Sequence, residues 1–262
     1  MLTDPSSQAS EPAASSEPDI ATSGQGRDEP GKPERQVAVG LFSRAFYRLC
    51  HFTGRVILRV FFGFDVTGLE NIPAEGGVLL ASNHRSHADP VLVGLVIKRP
   101  LHFMAKKELF RNRLFGWFIR SLHAFPMSRS VADRSSLQRA VALLKSGRAL
   151  LMFPEGTRSL TDDFLPPKPG IGLISVKSGV PIVPTYVHDS WKILEPGSAV
   201  VKVHKLHMSF GRPIEPPQLV DEPDSGLYLR IAEDVLQAIG NLRTELVSRL
   251  DEGSSTPSSR SD

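Results

Sequence analysis

The chain has 262 residues, of which 40% are hydrophobic and 23% charged, and its formal net charge is +3. This length and apolar content suffice for one large domain with a buried core, and so small a charge does not indicate a nucleic-acid partner. The single cysteine, Cys50, excludes an intrachain disulfide framework and a cysteine-rich zinc site. No apolar run approaches the ~20 residues of a membrane-spanning helix, and we expect no secretory signal at the start of the chain.

Residues 1–36 and 253–262 are predicted to be disordered tails. The first 35 residues carry seven acidic and three basic side chains, no aromatic residue and almost no large aliphatic residue. Such a composition cannot bury enough apolar surface to offset the entropy lost when a chain becomes ordered. The remaining chain divides into a helical segment at 37–64 and a folded domain at 65–252.

The segment 37–64 is predicted to be an amphipathic helix that lies in the headgroup region of a membrane. Its basic side chains fall within one narrow sector and its large apolar side chains fill the opposite side. The basic sector contains Arg44, Arg48, His51, Arg55 and Arg59, and the apolar side contains Phe42, Phe46, Leu49, Val56, Ile57 and Val60. An ordinary helix packed on the domain is the alternative. The segment has no acidic residue, which favours a lipid surface.

The rest of the chain alternates between apolar runs of strand length and helical patterns. Strands are predicted at 64–69, 78–82, 101–105, 124–129, 149–153, 181–187 and 200–210. Helices are predicted at 90–97, 106–111, 114–122, 133–146, 170–178 and 227–250. This alternation indicates an α/β fold with a central, mostly parallel sheet flanked by helices.

The stretch 83–90, N-H-R-S-H-A-D-P, joins a predicted strand to a predicted helix. Asp89 has the pattern of a helix N-cap, because a proline follows it at the first helical position. The turn can bring the Asp89 carboxylate onto one ring nitrogen of His84 and leave the other nitrogen free as a general base. Alternatively, Asp89 only caps the helix and His84 is a turn residue. His84 and His87 suggest a metal pair, but no further ligand has suitable spacing, so we expect no metal.

The stretch 153–158, F-P-E-G-T-R, also follows an apolar strand, so parallel strands would place it at the same sheet edge as the first stretch. Gly156 would let the backbone approach a ligand, and Arg158 offers a planar fork suited to a phosphate. Arg129, at the end of a short predicted strand, is a second candidate phosphate ligand. The alternatives are a turn held by an ion pair of Glu155 with an arginine and, for Arg129, a solvated surface charge.

Taken in chain order, these stretches resemble the sequence blocks of the glycerolipid acyltransferases. The resemblance covers about residues 64–213. The stretch 83–90 resembles the NHx4D block, 124–129 the second block, 153–159 the FPEGTRS block and 180–186, V-P-I-V-P-T-Y, the fourth block. Two positions depart from the pattern, since His123 stands where glycine is usual and Ser128 where an acid is usual.

The resemblance implies an O-acyltransferase that moves a fatty acyl group from acyl-CoA or acyl carrier protein to the free hydroxyl of lysophosphatidate, forming phosphatidate in phospholipid synthesis. It implies that His84 is the base and Asp89 its orienting acid. The residues implied to hold the phosphorylated acceptor are Arg129, Glu155, Gly156, Thr157 and Arg158. The thioester is a co-substrate, and we expect no cofactor and a location on the cytoplasmic face of a membrane. The alternatives are another lysophospholipid or hydroxyl acceptor, a thioester hydrolase and a non-enzymatic lipid-binding protein.

Overall fold

The predicted α/β architecture is confirmed by a computed structural model that describes residues 41–127, 134–195, 197–198, 200–217 and 226–255, with the backbone alone at 41–44 and 253–255. The strands of the described residues are β1 (Phe64–Thr67), β2 (Val78–Ser82), β3 (Leu101–Lys106), β4 (Ala124–Met127), β5 (Ala149–Met152), β6 (Ile182–His188) and β7 (Leu206–Phe210). The helices of this part of the chain are α1 (Leu41–Ile57), α2 (Asp89–Val96), α3 (Arg113–Ser121), α4 (Arg134–Lys145), α5 (Gly170–Ser178), α6 (Ser190–Ile193) and α7 (Leu227–Ser255).

The strands form one mostly parallel sheet in the order β1-β7-β6-β2-β5-β3-β4. The five strands from β6 to β4 run parallel to one another. Strand β7 is antiparallel to β6, and β1 is parallel to β7. Because β2 and β5 are parallel neighbours, the loops that follow them leave the sheet at the same edge, as the sequence predicts.

Side chains of β2 alternate between two buried layers, one on each face of the sheet. Val78 and Leu80 belong to the apolar core that includes residues of α2 and α3. Leu79 and Ala81 belong to a second core, which includes residues of α4, α5 and α7. The whole of β2 is buried, which explains why its sequence reads as a continuous apolar run.

The strand predicted at 200–210 is shorter in the structure, where β7 begins at Leu206. Residues 200–205 alternate in character, but Val200 and Val203 are exposed. This stretch has one isolated bridge, between Val201 and Leu194, and no partner strand among the described residues. The prediction for 200–205 is therefore wrong, because an alternating pattern forms a strand only where a neighbour is available to pair with it.

Helix α1 packs on the domain through a polar side. His51 Nε2 and Arg55 Nη1 donate hydrogen bonds of 2.9–3.2 Å to the carbonyl oxygens of residues 94–97, at the C-terminal end of α2. These carbonyls lack partners within α2, and a cation there also interacts favourably with the helix dipole. The approach is close, since a Cβ at Gly54 would lie 2.6 Å from Leu95 Cδ2. The prediction that placed His51 and Arg55 in a sector facing headgroups is corrected accordingly.

The opposite side of α1 is apolar, exposed and continuous with α3. The Phe46 ring lies 5.1 Å from the Trp117 ring of α3, centroid to centroid. A π-helix, Leu58–Phe62, continues α1. We call the exposed large hydrophobic side chains of α1, this π-helix and α3 the α1–α3 apolar surface. Its members are Leu49, Phe52, Val56, Ile57, Val60, Phe61, Leu114, Phe115, Trp117 and Phe118. None of the described helices is long and apolar enough to cross a membrane.

His123 has a left-handed backbone, with φ of 65°, and this conformation explains why glycine is usual at its position. The residue precedes β4, and its ring packs 4.4 Å from Tyr47 of α1 and 4.8 Å from His102 of β3. His123 therefore lies at the opposite end of the parallel strands from His84. Its ring connects α1 to the core. The histidine in place of the usual glycine therefore affects the packing of the domain and not the loop of His84.

Candidate active site

His84 and Asp89 form a hydrogen-bonded pair in the loop between β2 and α2. Nδ1 of His84 lies 2.8 Å from Oδ2 of Asp89. The Asp89 side chain is fully buried, whereas 16% of the His84 side chain is exposed. Nε2 of His84 makes no hydrogen bond within the described residues. The carboxylate thus fixes the tautomer with hydrogen on Nδ1, and the free nitrogen can accept a proton.

The Asp89 carboxylate serves the histidine loop and does not cap α2. Oδ2 also accepts hydrogen bonds of 2.9 Å from the backbone N–H groups of Arg85 and Ser86. The N-cap of α2 is Ala88, and Asp89 is already helical. The predicted N-cap role of Asp89 is therefore wrong. The proline after it still occupies the first turn, where a missing N–H costs nothing.

The His84 ring stacks on the ring of Phe153, the residue that follows β5. The two rings are stacked, with centroids 3.8 Å apart and an angle of 14° between their planes. Asn83 fixes the backbone on the other side, since its side chain exchanges hydrogen bonds of 2.8 and 2.9 Å with the backbone of Val187 in β6. Two neighbouring strands thus determine where His84 stands.

Glu155 joins the two loops of the site. Its side chain is buried, Oε1 accepts from the backbone N–H of His84 at 3.1 Å, and Oε2 accepts from that of Leu165 at 2.9 Å. Burial raises the pKa of the Glu155 carboxyl, while these two hydrogen bonds act in the opposite direction. Because both oxygens are occupied and hidden, we infer that Glu155 positions the two loops; the substrate-binding role implied by the resemblance stays a prediction.

Arg158 provides the cationic part of the site. Its Nη1 is buried and has no hydrogen-bond partner among the described residues. A buried guanidinium nitrogen without a partner is costly, so it favours an anion at this position. Gly156 has φ of 69°, and a Cβ there would lie 2.9 Å from Lys168 Cδ. Thr157 is exposed next to Arg158, and its side chain forms no hydrogen bond with a described residue.

His87 and Lys106 are two residues of this region for which the sequence indicated no role in the reaction. Burial lowers the pKa of His87, and the nearby charges of Arg158, His84 and Lys106 lower it further. Lys106 ends β3, the strand next to β5, and is exposed. Its position at the end of a parallel strand is the feature of the sequence that could have predicted Lys106 as part of the site. Since its pKa is lowered, His87 is neutral at neutral pH, and Arg158 and Lys106 carry the positive charge of this region.

Arg129 lies outside the described residues, so the structure says nothing of its predicted contact with a phosphate. The other predicted residues are brought together, since 84–89 and 155–158 follow the adjacent strands β2 and β5. The described residues contain no group of three or more histidine, cysteine, aspartate or glutamate side chains that could hold a metal ion. The expectation that no metal is needed stays a prediction.

Comparison with known proteins identifies the family. The sequence profile of the family described as Acyltransferase matches residues 63–188. A 1-acyl-sn-glycerol-3-phosphate acyltransferase of Bacillus subtilis is 31% identical over 201 residues, which span 76% of this chain and 98% of that protein. The chain belongs to the 1-acyl-sn-glycerol-3-phosphate acyltransferase family. The resemblance noted in the sequence is thereby confirmed.

Two further relatives of this acyltransferase family each match more than half of the chain. The 1-acyl-sn-glycerol-3-phosphate acyltransferase of Streptococcus pneumoniae is 34% identical over 151 residues, which span 57% of this chain and 54% of that protein. The crystal structure of the 1-acyl-sn-glycerophosphate acyltransferase from Thermotoga maritima superimposes with a TM-score of 0.62 at 27% identity, covering 77% of this chain and 81% of that one. The profile match contains the His84–Asp89 pair and the 155–158 loop, so the site described above lies within the shared region.

Proposed function

We propose that the protein transfers a fatty acyl group from an acyl thioester to the free hydroxyl of lysophosphatidate, forming phosphatidate. The observation that carries this proposal is the 2.8 Å contact between His84 Nδ1 and the buried Asp89 carboxylate, which leaves Nε2 available as a base. The buried, unpartnered Nη1 of Arg158 on the adjacent loop supports an anionic acceptor. The named activity of the relatives supports the same reaction.

The proposed chemistry is a direct transfer with His84 as the proton carrier. Nε2 removes the proton of the acceptor hydroxyl while that oxygen attacks the thioester carbonyl carbon. Asp89 stabilises the resulting imidazolium, as the aspartate of a hydrolase triad does. The carbon–sulfur bond then breaks, and the departing thiolate takes the proton from the imidazolium. Atoms and charge balance without a cofactor, so we propose that the thioester is the only co-substrate.

Ser82 and Ser86, which lie two residues before and after His84, favour direct transfer over an acyl-enzyme. Ser82 Oγ donates to the carbonyl oxygen of Asn83, and Ser86 Oγ donates to that of Leu194. Neither hydroxyl forms a hydrogen bond to His84, so neither has the base that an enzymatic serine nucleophile requires. Cys50 lies in α1. The substrate hydroxyl therefore takes the place of an enzyme nucleophile.

We also propose that the α1–α3 apolar surface lies in the interface of a membrane, on its cytoplasmic face. Leu114 is 76% exposed and Phe52 69%, although water is a poor environment for both. Exposed arginines border the surface and suit anionic headgroups: Arg48, Arg59, Arg111, Arg113 and Arg120. An acceptor embedded in the same membrane would then reach the protein without leaving the lipid.

An acyl-transfer assay with the variant His84→Ala tests the reaction. Labelled acyl-CoA is supplied with lysophosphatidate, with other lysophospholipids, or with no acceptor, and a metal chelator is present throughout. Wild-type protein should form labelled phosphatidate, and His84→Ala should reduce turnover by about 100-fold or more, because it removes the base of the transition state.

The control variant is His87→Ala, which should have a far smaller effect because His87 has no hydrogen bond to Asp89. Thermal unfolding of both variants separates lost chemistry from lost folding. Labelled free fatty acid in place of phosphatidate would indicate a hydrolase. Label on a different lysophospholipid would change the acceptor, and unchanged turnover in His84→Ala would refute the assignment of the base.

A further inference from the structure

We propose that a groove between residues 164–167 and α7 binds the phosphopantetheine arm of the acyl donor. This inference rests on the proposed acyl transfer and adds a binding site for one of its substrates. The groove has a volume of about 780 Å³, which is within the range of sites for ligands of this size. Its lining includes Phe164, Leu236, Gln237, Asn241, Arg243 and Thr244.

One wall of the groove is tied to the loop that carries His84. Nη1 of Arg243, which lines the groove, donates to the carbonyl oxygen of Asp162 at 2.7 Å. The Asp162 carboxylate in turn forms an ion pair with Arg85, the residue after His84. The guanidinium of Arg243 also lies 5.7 Å from the centre of the Phe164 ring. Asp162 therefore connects the Arg243 end of the groove to the catalytic loop.

The other wall leads to the phosphate loop. Pro167 lines the groove, and the backbone N–H of Lys168 donates to the carbonyl oxygen of Pro154 at 2.9 Å. The Lys168 side chain packs over Gly156. A thioester whose arm lies in the groove would thus have its acyl end directed toward the loops of His84 and Arg158.

The lining matches the chemistry of a pantetheine arm, which alternates amide groups with short apolar stretches. Gln237, Asn241 and Thr244 are spaced by four and three residues, so they share one face of α7 and offer donors and acceptors along the groove. Phe164, Leu236 and Val247 provide apolar surface between them. Arg243 and Glu233 also line the groove, so its charged lining residues are balanced, as suits the uncharged amide part of the arm.

The position of the groove also suits a donor that arrives from water. Residues of α7 belong to the core on one face of the sheet, and residues of α3 belong to the core on the other. The groove therefore lies on the layer opposite the α1–α3 apolar surface. A lipid acceptor and a water-soluble thioester would approach the same sheet edge from different sides. Coenzyme A and acyl carrier protein share the phosphopantetheine arm, so the proposal covers both.

Two variants test the groove without touching the loops of His84 and Arg158. Gln237→Leu combined with Asn241→Leu removes the amide groups. Gly240→Leu places a side chain in the groove, and its Cβ would meet Phe164 Cε2 at an ordinary distance of 3.7 Å. Leucine is also a better helix former than glycine, so this variant should fold. Glu245→Gln is the matched control, because Glu245 is exposed on α7 and does not line the groove.

The measurements are KM for acyl-CoA, for acyl carrier protein, for an S-ethyl acyl thioester and for lysophosphatidate, together with binding of free coenzyme A by calorimetry. Both groove variants should raise KM for an arm-bearing donor, and Kd for coenzyme A, by about fivefold or more, as expected for one or two lost hydrogen bonds. KM for lysophosphatidate and the rate with the S-ethyl thioester should not change. The control should match wild type.

The outcomes separate this inference from the proposed reaction. A rise confined to acyl-CoA or to acyl carrier protein supports the groove and identifies the donor. Wild-type acyl transfer with donor KM and coenzyme A affinity unaffected by both variants would overturn the groove and leave the reaction intact. Binding of coenzyme A that both variants weaken, in a protein that acylates no acceptor, would support the groove and refute the reaction.

Discussion

At the scale of single residues, the site combines carboxylate oxygens that accept several hydrogen bonds with buried atoms that have no partner among the described residues. One oxygen of Asp89 receives three donors, and both oxygens of Glu155 receive one backbone N–H each. Arg85 Nε, Asp89 Oδ1 and Arg158 Nη1 are buried and have no described hydrogen-bond partner. The bonded groups hold the loops in place, and the Arg158 nitrogen can bind an anionic substrate.

The variant Arg158→Lys tests the role of that nitrogen. It keeps the charge but loses the planar fork that can bind two phosphate oxygens at once. KM for lysophosphatidate should therefore rise by about tenfold, while KM for the acyl donor changes little. Steady-state kinetics with each substrate varied in turn measures the difference. Equal changes in both constants would point to a structural role for Arg158.

The variant Glu155→Gln tests the positioning role of Glu155. A glutamine places an NH2 group opposite one of the two backbone N–H donors, so one buried hydrogen bond is lost and one donor is left unsatisfied. The free energy of unfolding should fall by about 1–3 kcal/mol. Turnover should fall as well, while KM for lysophosphatidate stays near the wild-type value. Urea denaturation and acceptor kinetics measure these effects, and a selective rise in acceptor KM would restore the substrate-binding role.

At the scale of elements, the sequence predicts which stretches become strands and helices better than it predicts what they contact. The bounds of β2 and α5 agree with the prediction, because continuous apolar runs and a following Gly179 in left-handed conformation define them locally. The strand prediction for residues 200–205 is wrong because this alternating stretch has no described strand to pair with. The N-cap prediction for Asp89 is wrong because its carboxylate accepts hydrogen bonds from three donors in its own loop.

The orientation of α1 shows the same limit. Periodicity separates the two sides of the helix, but it cannot say which side meets the domain. The structure turns His51 and Arg55 inward because the C-terminal carbonyls of α2 accept their hydrogen bonds. The candidate site was more predictable than this contact, since the pairing of β2 with β5 follows from parallel strands. Lys106 was missed because its strand had to be placed next to β5 first.

This orientation changes the expected effect of mutations in α1. Replacing Phe52 and Trp117 by serine should weaken sedimentation with neutral vesicles, because their apolar burial is lost, at ~25 cal/mol per Å². Replacing Arg48 and Arg59 by glutamate should weaken sedimentation with anionic vesicles only, and added salt should reduce the wild-type binding too.

The matched control is Arg55→Glu. It should destabilise the packing of α1 on α2, seen as faster proteolysis of the N-terminal segment, because a carboxylate would face carbonyl oxygens. If the Phe52 and Trp117 double variant sediments like wild type, the α1–α3 apolar surface is not a lipid-binding surface.

At the scale of the whole molecule, the histidines beneath α1 make stability depend on pH. Burial lowers the pKa of His102 to about 4, with His123 contributing and the Ala149 carbonyl opposing, and Arg148 and Arg139 lower it further. The folded protein therefore keeps His102 neutral between about pH 6.5 and about pH 4, whereas the unfolded chain binds a proton there. The contribution of His102 to the free energy of unfolding is therefore fully present above about pH 6.5 and is lost as the pH decreases through this window.

The variant His102→Gln should flatten that part of the pH profile. A glutamine can still donate a hydrogen bond toward the Ala149 carbonyl, but it does not titrate. Wild type should lose up to about 3 kcal/mol of unfolding free energy between pH 6.5 and pH 4 through this residue, and the variant should lose less. Urea denaturation at several pH values measures both. Parallel profiles for the two proteins would exclude His102 as the source.

Strand β1 has a consequence for the order in which the chain takes shape during synthesis. Its partner in the sheet is β7, with Phe64 opposite Leu206, so the strand that follows α1 waits unpaired until nearly the whole domain has left the ribosome. Contacts between residues so far apart form late, because the intervening chain must be brought together first. The residues of α1 leave the ribosome before the loops of His84 and Arg158 are synthesised. If the α1–α3 apolar surface binds lipid as proposed, its α1 part would reach the membrane before the active site is assembled.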